Sequence, residues 1–185
     1  MFIETEVTPN PATLKFLPGR RVLPEGGRDF RSAAEAAASP LAARLFEIAG
    51  VTGVYFGADF VSVTKDGPEW PHLKPSILGA IMEHFLSGAP LLVAGETAAA
   101  ATRSYSEAEA RIVATIEQLL EDRVRPAVAG DGGDIVFDRF EDGIVFLHMR
   151  GACSGCPSST ATLRNGVQNL LKHFIPEVRE VRAAS

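Results

Sequence analysis

The sequence predicts an α+β protein made of two small α/β-mixed domains joined by a flexible linker. Short stretches of alternating or continuous apolar residues predict strands, and longer stretches with apolar residues three or four positions apart predict helices. An alanine-rich stretch separates the two sets of elements. A chain of 185 residues can form one large domain or two small ones, each with a modest core. We place the domains at 1–88 and 106–185 and the linker at 89–105.

The first domain is expected to open with strands. Apolar and polar residues alternate over 2–7, which predicts a strand. Two prolines within 8–11 predict a turn after it, because proline lacks a backbone donor and restricts the residue before it. Residues 14–16 and 22–23 predict two further short strands around a Pro-Gly turn.

Helices and a hairpin are expected to complete this domain. The alanine-rich residues 32–38 predict one helix, and a second begins at Pro40 and ends at Gly50. Residues 51–64 predict a hairpin, and residues 74–87 predict a helix with apolar residues along one side. This domain contains no cysteine.

The second domain begins with a strong helix signal. Ser106 and Glu109 fit a capping box, and the helix that follows is expected to end or kink at Arg125-Pro126. Residues 135–149 then predict a β-hairpin. A closing helix has apolar residues on one face: Leu163, Val167, Leu170, Leu171 and Phe174. The order helix, strand, strand, helix predicts a two-layer module.

Composition excludes several classes of function. The formal net charge is -5, without the basic excess of a nucleic-acid-binding protein. No apolar stretch reaches the roughly 18 residues that span a bilayer, and the acidic start is unlike a targeting peptide. We therefore expect neither nucleic acid nor membrane as a partner. Two cysteines do not make a disulfide framework, so we expect a reducing cytoplasm, or the mitochondrial matrix after removal of a transit peptide.

Both cysteines lie in one C-x-x-C motif, Cys153 to Cys156, between a predicted strand and a predicted helix. Gly151 and Gly155 allow a close or left-handed backbone, and Ser158 or Ser159 can cap the helix. At the positive end of that helix, a thiol pKa is expected to fall below about 8.5. Two thiolates are half of a four-thiolate site, which a second copy of the chain would complete.

Four interpretations of this motif remain open from the residues alone. Iron–sulfur clusters take four thiolates, which two chains can supply together. A redox-active dithiol also fits, although the usual thioredoxin-like βαβ pattern is absent. Zinc requires two further ligands that the sequence does not place nearby. The last interpretation is a purely structural pair.

The wider sequence resembles a known family. Close similarity to the C-terminal domain of NifU extends over residues 125–135 (RPAVAGDGGDI), 151–159 (GACSGCPSS) and 162–166 (TLRNG). Residues 8–19 (TPNPATLKFLPG) resemble the opening of the Nfu N-terminal domain. The two motifs stand in the family's order, and the two domains that they mark together cover nearly the whole chain.

The resemblance implies an iron–sulfur cluster scaffold or carrier rather than an enzyme. It assigns Cys153 and Cys156 as ligands, with Ser158 and Ser159 hydrogen-bonding near them. In such proteins two subunits share one [4Fe-4S] cluster, with [2Fe-2S] as the alternative, and pass it to apo target enzymes. The implied partners are a second copy of the chain, those targets, and upstream cluster-assembly proteins. The remaining alternatives are a C-x-x-C thiol-disulfide oxidoreductase and a zinc-binding structural adaptor.

Other candidate residues carry weaker signals. The loop from Asp131 to Asp134 predicts a tight turn, with positioning of the cysteine loop or contact with a recipient protein as a second role. The four histidines are scattered, and we expect surface or hydrogen-bonded residues rather than metal ligands: His72, His84, His148 and His173. No catalytic triad, phosphate loop or pair of catalytic carboxylates stands out.

Overall fold

The computed structural model describes the chain in two compact units, residues 1–98 and 99–185. The residues it describes are 1–24, 26–93, 104–154 and 157–184, and the side chains of 157–159 are not among them. Each unit has its own sheet and its own buried apolar cluster. The α+β prediction is confirmed.

The first unit is built on a five-stranded antiparallel sheet. Its strands lie in the order β1-β2-β5-β4-β3. The bounds are β1 Glu4–Val7, β2 Thr13–Leu17, β3 Arg28–Phe30, β4 Val51–Phe56 and β5 Val61–Lys65, with helices α1 Ala33–Ala36, α2 Pro40–Phe46 and α3 Trp70–Ser87. One sheet face packs with the helices into a core that includes Phe16, Val63, Phe56, Leu45 and Ile77.

Two details of this unit differ from the prediction. Val22 and Leu23 are buried but do not form a strand, because both of their N–H groups donate to one acceptor, the carbonyl of Ala58. The third strand is instead β3, whose three residues are too few to show an alternating pattern. Helix α3 begins at Trp70 rather than at 74, since Pro71 fits its first turn, where a missing N–H costs nothing.

Residues at both ends of the predicted linker belong to the packed units. Leu91 and Leu92 pack against the first core, and the N–H of Val93 donates to the carbonyl of Ala38 at 2.8 Å. Tyr105 packs against the second core. The rest of the predicted linker, 94–103, lies outside the described residues.

The second unit places helices against a three-stranded sheet in the order β6-β7-β8. Its elements are α4 Glu107–Leu119, a π-helical turn Leu120–Val124, α5 Arg125–Gly130, β6 Gly133–Glu141, β7 Ile144–Gly151, α6 Pro157–Phe174 and β8 Glu180–Ala183. Strands β6 and β7 form the predicted hairpin, and β8 runs parallel to β7. The predicted capping box of Ser106 and Glu109 is present.

The predicted interruption at Pro126 takes the form of the π-helical turn. Pro126 has no N–H, so a regular α-helical ladder cannot continue through it. The chain widens over Leu120–Val124 and then resumes as α5. This turn places Arg125 at the start of α5, beside the loop that leads into β6.

Strand β8 and the exposure of Phe174 correct the prediction for the end of the chain. Only Val181 in β8 is buried, and a four-residue strand with one buried side chain gives almost no local signal. Phe174 is 47% exposed, with the Arg123 guanidinium 5.3 Å from its ring centre. It therefore does not belong to the core face of α6. No helix among the described residues is long and apolar enough to cross a membrane.

Acidification is expected to destabilise the first unit through His84. Burial, with a contribution from Arg44, lowers the pKa of this imidazole. As the pH drops below about 6.5, the unfolded chain binds a proton at His84 that the folded chain does not. The free energy of unfolding therefore decreases as the pH decreases. The measurement is the thermal midpoint of the full chain across this range.

His84→Gln should flatten that pH dependence, whatever it does to stability at neutral pH. His72→Gln is the matched control, because His72 lies on the same helix with an exposed side chain. An unchanged slope in His84→Gln would show that the imidazole is not the titrating group.

Candidate functional site

The cysteine loop connects the end of β7 to the start of α6. Gly151 adopts a φ of +61°, which a side chain rarely tolerates. A tight turn follows: the N–H of Cys153 donates to the carbonyl of Arg150 at 3.3 Å, and that of Ser154 to the carbonyl of Gly151 at 3.1 Å. The Ser154 hydroxyl also donates to Gly151 at 2.8 Å. These bonds place Cys153 directly beyond the sheet.

A second set of bonds ties this turn to its surroundings. The Thr160 hydroxyl in α6 donates to the carbonyl of Cys153 at 3.0 Å. The N–H of Ala152 donates to the carbonyl of Gly132 at 3.2 Å. Cys153 is thus held between the helix that follows it and the loop that precedes β6. Gly155 and Cys156 lie outside the described residues, so the position of Cys156 stays a prediction.

The Asp131–Asp134 loop forms the predicted tight turn and also contacts Cys153. Gly132 has a φ of +78°. A Cβ on Gly133 would lie 2.3 Å from the sulfur of Cys153 and 2.9 Å from its backbone nitrogen. Only glycine therefore lets the two loops come this close. The second role predicted for this loop, positioning the cysteine loop, has a physical basis in that contact.

Arg125 and Asp134 form an ion pair beside this contact that the sequence did not reveal. The guanidinium donates to both carboxylate oxygens, at 2.9 and 3.1 Å. Asp134 is 4% exposed, and its Oδ1 also accepts the N–H of Ile135 at 2.9 Å. Both residues lie in the motif quoted above, but nine positions separate them. No local pattern predicts a pair at that spacing.

The pKa of the Cys153 thiol is raised, whereas the sequence predicted that it would be lowered. Its residue is only 7% exposed, and burial raises its pKa to about 12, with further contributions from Asp131 and Asp134. The sulfur points inward against a glycine and near two carboxylates. The expected lowering at the helix N-terminus is wrong for this thiol in this conformation.

The donors present suit a soft metal that receives other ligands from elsewhere. Thiolates favour iron–sulfur clusters, zinc and copper(I). The sulfur of Cys153 lies beside Gly133, in space that a Cβ at position 133 would occupy. Within the described part of the chain, no three His, Cys, Asp or Glu residues come together as a metal site. His148 is 3.1 Å from Asp138, His84 is buried, and His72 and His173 are exposed.

Cys153 is expected to react slowly with iodoacetamide in the folded, metal-free protein. Compared with an ordinary cysteine of pKa about 8.5, it has on the order of a thousandfold less thiolate at a given pH. In the Cys156→Ser background, alkylation followed by mass spectrometry should be at least about a hundredfold slower than in urea. A folded rate close to that in urea would contradict the buried thiol.

Two family models match the chain, one in each unit. The model described as "Scaffold protein Nfu/NifU N terminal" matches residues 3–88. The model described as "NifU-like domain" matches residues 116–182. The second match contains the cysteine loop, the Asp131–Asp134 loop and Arg125.

Curated relatives are similar over nearly the whole chain. "NifU-like protein 4, mitochondrial" of Arabidopsis thaliana is 50% identical over 184 residues, which are 98% of this chain and 65% of that protein. "NFU1 iron-sulfur cluster scaffold homolog, mitochondrial" of Homo sapiens is 50% identical over 183 residues, 98% of this chain and 71% of that protein. The chain thus spans roughly two thirds of the length of these relatives.

A solved structure also resembles part of the chain. The solution NMR structure of a NifU-like protein from Saccharomyces cerevisiae covers 51% of this chain and 87% of its own, at 25% sequence identity and a TM-score of 0.47.

Proposed function

Because the chain belongs to the Nfu/NifU-like family of iron–sulfur cluster scaffold proteins, we propose that it carries a [4Fe-4S] cluster between two subunits and delivers it to apo enzymes. The cluster is cargo rather than a resident cofactor. The observation that carries the proposal is that both cysteines of the chain form one C-x-x-C inside the NifU-like match. A four-thiolate site then takes Cys153 and Cys156 from each of two copies.

Shared ligation suits a carrier. Each subunit contributes only one pair of thiolates, so an acceptor's cysteines can replace one pair at a time. The thiols must be deprotonated to bind metal, and loading therefore releases protons. The buried pose of Cys153 keeps the thiol protonated until cargo arrives. A [2Fe-2S] cluster held by the same residues is the alternative cargo.

The electrostatics of Cys153 argue against a thiol-disulfide oxidoreductase. In such enzymes the attacking cysteine has a lowered pKa, whereas the pKa of Cys153 is raised to about 12. The Homo sapiens relative and the first family model are named as scaffolds rather than as enzymes. The zinc adaptor is disfavoured by similarity, since the Homo sapiens relative is named as an iron-sulfur cluster scaffold.

The two units are proposed to divide the work across a linker within 89–105. The first unit contains no cysteine, so its role is partner recognition or restraint of the cluster-binding unit. Targets and upstream assembly proteins are the proposed partners. The mitochondrial names of the relatives favour the mitochondrial matrix, the second location expected from the sequence.

Anaerobic reconstitution with iron and sulfide tests the cargo and the dimer together. We expect four irons and four sulfides per two chains, with a doubling of mass, because each chain supplies half of the ligands. Cys153→Ser and Cys156→Ser should each abolish the cluster and the dimer, whereas Arg139→Gln, a change within β6 and outside the cysteine loop, should retain both. A monomer that binds no iron but cycles a disulfide would overturn the proposal, and two irons per dimer would select the [2Fe-2S] alternative.

Deletion of residues 1–93 tests the division of work. The remaining chain keeps the second core and the cysteine loop, so cluster assembly should remain close to that of the full chain. Delivery to an apo [4Fe-4S] enzyme, followed by the recovery of its activity, should slow for some targets. A truncated chain that holds no cluster, while it still shows the helical spectrum of a folded unit, would contradict this assignment.

A further inference from the structure

The ion pair between Arg125 and Asp134 fixes the loop that precedes β6. Its two hydrogen bonds engage both carboxylate oxygens, a bidentate geometry that sets direction as well as distance. The Asp134 side chain is 5% exposed and that of Arg125 is 29% exposed. Because Oδ1 also accepts the N–H of Ile135, the pair holds the main chain at the first residues of the strand.

The fixed loop is the surface against which Cys153 packs. Gly133 precedes Asp134 directly and leaves no room for a Cβ beside the sulfur of Cys153. Gly132 accepts the N–H of Ala152, and Gly133 lies opposite Gly151 in the β6–β7 pairing. The Arg125–Asp134 ion pair, called the clamp below, is therefore one residue and two residues away from the two main-chain contacts that set where the cysteine loop begins.

The other half of the clamp is supported by the helical layer. Arg125 is the first residue of α5, directly after the π-helical turn. Its guanidinium also donates to Glu121, one turn earlier. An ion pair on an exposed surface contributes little to stability, but this one links a helix to a loop through a buried carboxylate. The pair thereby restrains the loop against which the cysteine loop packs.

We propose that Arg125 and Asp134 are positioning residues for the cluster ligand Cys153, acting through Gly133. The inference rests on the proposed function, since it assigns these residues a role toward the cargo. The clamp fixes the main chain of the Asp131–Asp134 loop, which in turn fixes the main chain at the beginning of the cysteine loop. The Cys153 side chain then rotates outward to bind the cluster while this main chain stays in place. Without the clamp, the loop is less confined, the thiol becomes more accessible in the metal-free protein, and the cluster is held less long.

The test compares four variants with one matched control. Arg125→Gln and Asp134→Asn break the clamp, and Arg125→Lys keeps the charge without the bidentate fork. Gly133→Ala crowds the sulfur and the backbone nitrogen of Cys153 without removing either member of the clamp. Arg139→Gln is the control, because Arg139 pairs with Asp138 in the same unit and its side chain is also 29% exposed. Thermal midpoints identify any variant that has lost its fold.

Two rates are measured on full-length protein. The first is alkylation of Cys153 in the metal-free Cys156→Ser background, which does not depend on the cluster. The second is cluster loss to a chelator, followed by absorption, in chains that keep both cysteines. Arg125→Gln, Asp134→Asn and Gly133→Ala should each raise both rates above those of the control. Cluster loss should be at least about tenfold faster, because losing a group that supports a metal ligand typically weakens metal binding by about 10–100-fold. Arg125→Lys should fall between these and the control.

The outcomes separate the two proposals. Clamp variants that match Arg139→Gln in both rates would overturn the positioning role, whatever the effect of Gly133→Ala. If the parent chain takes up no cluster, the proposed function fails, and the alkylation rates alone decide whether the clamp positions Cys153. If Arg125→Gln does not fold, Asp134→Asn provides the same comparison.

Discussion

The close approach of Gly133 to the sulfur of Cys153 is the constraint on which the second unit depends. A Cβ there would lie 2.3 Å from the sulfur, so the position excludes every side chain. The hairpin brings the two loops together, because β6 and β7 pair as far as Gly133 and Gly151. Gly132 and Gly151 adopt left-handed conformations. These turn the backbone at the ends of β6 and β7 while the two loops stay in contact. Gly132, Gly133 and Gly151 thus serve one contact.

Burial, rather than the helix N-terminus, decides the electrostatics of Cys153. A helix end stabilises a nearby anion by about 0.3–1 kcal/mol, which is less than one pKa unit. The pKa of Cys153 instead rises to about 12, with burial as the largest cause. A sequence shows that a cysteine precedes a helix, but not whether its sulfur faces solvent or core. The thiol is therefore protected in the folded chain, and under the proposed function it has to lose a proton when cargo binds.

The sequence predicted features whose signals are local. The capping box at Ser106, the β6–β7 hairpin and the break at Pro126 each depend on residues a few positions apart, and each is present. Features that depend on distant partners were missed. Strand β8 exists because it pairs with β7 across α6, and the Arg125–Asp134 pair needs the turn at Gly132. At the candidate site, Cys153 and its loop could be located from sequence, whereas its inward orientation could not.

Side chains on the outer strands of the second sheet bear on how two copies could meet. The outer strands β6 and β8 have N–H groups that bond to side chains: Ile135 to Asp134, Phe140 to Tyr105, and Val181 to Gln168. Exposed edges with unpaired donors invite another strand, and these three donors are already used. Association by sheet extension is correspondingly disfavoured at those positions. A dimer held by shared thiolates requires no such edge, and its formation then depends on the cargo, which links two copies only while it is bound.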